Sequence, residues 1–70
     1  MYTAIANDGK RRKFDTIQQA EAWLGNWNER GELISYPARG GYVVAPDDTV
    51  ISGVGADGGA VRHNQPKWGN

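Results

Sequence analysis

The chain has seventy residues, 39% of them apolar, with eight cationic and eight acidic side chains and no cysteine; this bounds a single small domain. Disulfides and thiolate metal sites are excluded, and the single histidine, His63, leaves no histidine-built zinc cage. A chain this short buries only roughly 60% of the surface its unfolded form exposes, so a partner or a second copy is the remaining source of extra burial. The first residues carry no basic leader, and no apolar run approaches the roughly 18–20 residues of a membrane span. The expectation is a cytoplasmic protein without membrane contact.

The charge is unevenly spread. Lys10, Arg11, Arg12 and Lys13 stand together with Asp8 as the one acid in residues 1–14, and the other seven acids lie beyond them. A basic end and an acidic remainder result.

Tyr2–Ala6 reads as a strand. Asn7-Asp8-Gly9-Lys10 then predicts a hairpin with a type I′ turn, and Lys10–Phe14 is its charged, exposed return strand, a guarded sheet edge. Asp15 or Thr16 can accept from the orphan amides of a helix start, for Thr16 with Gln19 matches a capping box and Asp15 with Gln18 has the same spacing. This cap opens an amphipathic helix over about Thr16–Arg30, with Gly31 placed to stop it. Ile17, Ala20, Leu24 and Trp27 fall in an arc about 80° wide that faces the core. Trp23 lies on the border of that arc, and Gly25 inside the helix costs about 1 kcal/mol relative to alanine. Glu32–Tyr36, Gly41–Ala45 and Val50–Val54 read as strands, with turns at Pro37–Gly40 and Pro46–Thr49. The order ββαβββ predicts a two-layer α+β sandwich, one helix on a mostly antiparallel sheet. The domain occupies residues 1–54, and 55–70 form a Gly-rich, irregular tail without an internal repeat.

Few residues point to chemistry. Gly53-Val54-Gly55-Ala56-Asp57-Gly58 spells G-x-G-x-x-G, but no βαβ unit fits between it and Asn70, so it reads as a glycine linker. Asp47-Asp48 follows Pro46 at a turn, where aspartate serves backbone geometry rather than acid–base work. Ser35 and Ser52 sit in no nucleophile elbow. No catalytic residue, metal ligand or cofactor is expected, and the chain reads as a non-enzyme.

Binding is the better prospect. Lys10, Arg11, Arg12 and Lys13, with Phe14 beside them, can neutralise phosphates and stack on a base, or meet an acidic protein surface; a row of cations is also an ordinary solvated edge. Trp23 and Trp68 are candidate interface anchors, because tryptophan is enriched at binding hot spots.

The stretch Phe14–Leu24 resembles helix openings found in many small bacterial and phage proteins. The size, neutrality and lack of cysteine resemble the small proteins that phages use to block host enzymes, anti-CRISPRs among them, a likeness of class rather than of site. The resulting expectation is a protein-binding module, an inhibitor or regulator of a host protein, anchored by Trp23, Trp68, Arg11 and Arg12. The alternative is a nucleic-acid-binding domain using the hairpin 7–14, through Lys10, Arg11, Arg12, Lys13 and Phe14.

Overall fold

Thr16 and Gln19 close the reciprocal cap that their spacing predicts. In the computed structural model, which describes residues 1–62, the Gln19 amide donates to Thr16 Oγ1 at 3.1 Å and the Thr16 amide to Gln19 Oε1 at 3.3 Å. Two otherwise orphaned amides are satisfied locally, and helix α1 spans Ile17–Gly25. It stops well short of the expected Arg30. Asn26 adopts the left-handed conformation (φ 58°, ψ 47°) and its amide returns to the Ala22 carbonyl. Asparagine enters that conformation more readily than most residues, so the stop falls there and not at Gly31. Trp27 consequently lies beyond the helix instead of on its apolar arc. It bridges Leu33, and its indole Nε1 donates to the Gly58 carbonyl at 2.8 Å.

Among the described residues, five strands, β1 (Tyr2–Ala6), β2 (Arg11–Phe14), β3 (Gly41–Val44), β4 (Val50–Val54) and β5 (Ala60–Arg62), form one antiparallel sheet in the order β2-β1-β3-β4-β5. The helix packs on one face, giving the expected small α+β fold and the expected ββαβββ order. One strand differs. Glu32–Tyr36 is irregular, because its backbone is engaged locally: Asn28 Oδ1 accepts the Arg30 and Glu32 amides, and the Ile34 amide donates to the Asn26 carbonyl. The fifth strand is instead β5, so the sheet continues past residue 54 into the stretch expected to be an irregular tail. Trp68 and the other residues of 63–70 lie outside the described residues.

Three hairpin turns share one design. The β1–β2 turn closes with the Gly9 amide on the Ala6 carbonyl (2.9 Å) and the Ala6 amide on the Lys10 carbonyl (2.8 Å). The β3–β4 turn repeats this with Asp48 to Ala45 and Ala45 to Thr49, and the β4–β5 turn with Gly58 to Gly55 and Gly55 to Gly59. In each, the last loop residue has positive φ (Gly9 92°, Asp48 71°, Gly58 83°). The aspartate before it (Asp8, Asp47, Asp57) accepts the amide two residues on, at 2.9–3.0 Å. This is the three-residue turn with a left-handed bulge residue, not the type I′ turn expected at Asp8-Gly9, which needs two positive-φ positions. The motif Gly53–Gly58 is likewise accounted for as the end of β4 and its turn, and a strand succeeds it instead of a helix.

Ala4, Ala6, Ala20, Leu24, Val43, Ile51 and Val54 form the core. Alanines on β1 bring the helix backbone close to the sheet, and Leu24 fills the centre, fully buried. Its truncation to alanine is expected to cost about 2–5 kcal/mol. Val43 pairs with Ser52 and Val44 with Val50, which leaves Ile51 as the extra residue of a bulge. Ile51 and Ser52 therefore both point inward although they are adjacent. Glu21, on the helix flank beside the arc, is 3% exposed. It accepts from Ser52 Oγ (2.5 Å), Arg62 Nε (3.0 Å) and Arg62 Nη2 (2.8 Å), tying α1 to β4 and β5.

Candidate binding groove beside the helix

Strand alternation divides the basic run. Arg12 lies opposite Ala4 and Phe14 opposite Tyr2, on the helix side of the sheet. Arg11 lies opposite Ile5 and Lys13 opposite Thr3, on the other side. Lys10 belongs to the turn. The five residues expected to act together on a nucleic acid therefore serve two different faces.

On the helix side, Phe14 meets Trp23 with ring centroids 6.0 Å apart and planes inclined at 46°. The Arg12 guanidinium stands 5.4 Å from the Phe14 centroid, and that of Arg39 stands 4.8 Å from the Trp23 centroid. The result is a run of alternating cation and ring: Arg12, Phe14, Trp23, Arg39. It forms one wall of an open groove of about 900 Å³, which Gln18, Asn26 and Arg30 also line. Among the described residues, three arginines face this groove against the single acid Glu29. Both rings are half-buried against the core edge.

Arg39 has a second task. Its Nη1 donates to the Trp23 carbonyl at 3.1 Å, and the Gly40 amide donates to that of Leu24 at 2.9 Å. Both carbonyls belong to the last turn of α1, where no intrahelical donor remains. A cation there also opposes the negative end of the helix dipole. The contact holds the guanidinium over the Trp23 ring, and such a cation–π contact at an exposed site contributes about 0.5–1 kcal/mol.

Of the anchors expected from sequence, Trp23 and Arg12 meet in this groove. Arg11 is on the opposite side of the sheet, because residues adjacent in a strand face opposite ways. Trp68 lies outside the described residues. Arg39, Asn26 and Arg30 carry no signal in the sequence. The 15-residue connection between α1 and β3 brings Arg39 back across the helix end, and no periodicity spans such a loop. The same connection exposes Ile34 (63%) and Tyr36 (69%), although its backbone is held by the Asn26–Ser35 side-chain contact and by the Ala38 amide on Ala56.

The remaining candidates resolve into structural roles. Asp47 and Asp48 build the β3–β4 turn, and hydrogen bonds from the Thr49 hydroxyl and amide hold the Asp47 carboxyl below its ordinary pKa. Ser52 is buried on Glu21. Among the described residues, no three His, Cys, Asp or Glu side chains cluster as a metal site, and no helix is long and apolar enough to cross a membrane. No protein-family model matches this chain, and no significant match is found among curated proteins or solved structures.

Proposed function

We propose that this chain is a small non-enzymatic protein-binding module whose groove beside α1 takes an acidic protein surface. The observation that carries the reading is the alternating run Arg12, Phe14, Trp23, Arg39. Two half-exposed rings are each covered by a guanidinium, and that of Arg39 is already held in place. Tryptophan and arginine dominate binding hot spots. Fixing their rotamers beforehand reduces the entropy lost on association. The excess of arginine over acid in the groove selects a partner of opposite sign. In this reading the module acts by occupancy, as an inhibitor or regulator of the host protein it covers.

Arg12 and Arg11 are adjacent, both exposed, and on opposite sides of the sheet, which supplies an internal control. Proteins captured by the wild-type chain are to be identified, purified and remeasured by calorimetry against Arg12→Glu, Trp23→Ala and Arg11→Glu. A partner with an acidic contact surface should lose about tenfold or more in affinity with the first two and little with the third. Equal binding by all three variants, or no partner retained by the wild type, refutes the groove as the recognition surface.

A further inference from the structure

The face of the sheet turned away from α1 is organised differently. Strand register sets one residue from every strand into a single row: Arg11, Ile5, Tyr42, Gly53, Val61. A second row begins Lys13, Thr3, Val44. Tyr42, at the centre of the sheet, is 40% exposed, and Val61 at its edge is 70% exposed. A β-carbon placed on Gly53 would meet nothing within 4 Å. Gly53 is thus a bare floor between Tyr42 and Val61, in a sheet whose strands lie about 4.8 Å apart. Arg11 stands two strands from Tyr42 on the other side, roughly 10 Å at the backbone, within reach of a long side chain.

We propose that this face binds single-stranded nucleic acid, with a base stacked on Tyr42 over Gly53 and adjoining phosphates held by Arg11 and Lys13. The charge supports this occupant. Among the described residues, the depression on this face is lined by the cations Arg11 and Lys13 and by one acid, Asp48. Asp48 lies in the turn beyond Val44, at the end of the strands away from the Tyr42 row. An aromatic ring on an open sheet with cations to one side, here on β2, is an arrangement that accepts unstacked bases. A duplex is disfavoured, because β1 pairs with β3 as well as β2, so the basic hairpin is not a free ribbon that can enter a major groove. A second copy is disfavoured too. Ile5, Val44 and Val50 are already half-buried, and among the described residues the exposed Met1, Tyr42 and Val61 together fall far short of the roughly 800 Å² per partner of a stable interface.

The test is fluorescence anisotropy with a labelled oligothymidylate of about 12 nucleotides, a length that spans such a platform. Wild type should bind, with a log–log salt slope of about −1.4 for two phosphate contacts to a single strand. Tyr42→Ala should weaken binding about 5- to 100-fold, and Tyr42→Phe should restore it. Arg11→Glu should weaken binding, Arg12→Glu should not, and Asp48→Asn should strengthen it by removing the one acid. Tyr42→Phe also guards against misfolding as a trivial cause. Absence of binding at low salt, insensitivity to Tyr42→Ala, or preference for the corresponding duplex each overturns the proposal. The contrast between Arg11→Glu and Arg12→Glu separates failure of this face from failure of the groove.

Discussion

Arg62→Ala is the most informative single change to this fold. The Glu21 side chain is only 4% exposed and its carboxylate accepts three hydrogen bonds, two of them from Arg62. Removing Arg62 leaves a buried charge with the Ser52 hydroxyl alone. Breaking a buried pair in this way costs about 3–5 kcal/mol. The Arg62 side chain is 25% exposed and sits on an edge strand, so water can partly replace it. The expected loss is therefore lower, about 2–3 kcal/mol. A domain of this size has about 4–10 kcal/mol to lose, so the melting temperature should fall by roughly 10–20 °C. Glu21→Gln should cost less, about 1–2 kcal/mol, because the cation it strands can reach solvent. The triple change Glu21→Met, Ser52→Ala, Arg62→Met should lie within about 1 kcal/mol of wild type, since an apolar replacement removes the desolvation cost together with the attraction. Urea unfolding followed by circular dichroism measures all three. A loss below about 0.5 kcal/mol for Arg62→Ala, or a larger loss for Glu21→Gln than for Arg62→Ala, would refute the assignment of the burial cost to Glu21.

Gly25→Ala reverses the usual sign of a helix substitution. Alanine ordinarily gains about 1 kcal/mol over glycine, but here its β-carbon would lie 2.5 Å from Trp27 Nε1, on a ring held by Gly58. A net loss of about 1–3 kcal/mol is expected in thermal melts; a gain would show that the indole is free to move. Asp48→Gly should raise stability by about 0.5 kcal/mol, because the two sister turns already carry glycine at this left-handed position, and a drop in melting temperature would contradict it. Asp47 binds its proton more weakly in the folded chain than in the unfolded one. Its contribution to stability is thus complete above the ordinary carboxylate pKa and is lost as pH falls through its depressed value. The stability difference between wild type and Asp47→Ala, followed by denaturant titration across that acidic range, should shrink toward low pH, and a constant difference would count against the turn hydrogen bonds as its source.

Much of the local structure is written in short stretches of chain. Thr16 with Gln19 specifies the start of α1, and the alternation of Tyr2–Ala6 specifies β1. Pro46-Asp47 marks a turn because proline and aspartate act on their own backbone. The helix stop is not legible in the same way. Gly31 and Asn26 are both credible left-handed residues, and the choice between them depends on how Trp27 seats on Gly25 and Gly58. Glu21 has the sequence context of a surface residue, because its place on the helix wheel borders the apolar arc. It is buried because Ser52 and Arg62, 31 and 41 residues away, supply its hydrogen bonds. Strand β5 escapes sequence reading for a related reason: Ala60–Arg62 has little strand character alone and is recruited by pairing with β4.

The same division holds for the binding surfaces. By itself, the amino-acid sequence determined the α+β class, the helix opening, the basic run and the place of Trp23 at the border of the apolar arc. Each of these rests on interactions spanning a few residues. Only the tertiary structure decided that Arg12 and Phe14 join Trp23 while Arg11 and Lys13 face away, since that depends on the register of β2 against β1 and on which face α1 covers. It also decided that Arg39 completes the groove, because the α1–β3 connection folds back onto the helix end. Local propensity carries no information across such distances, and packing of the two layers does.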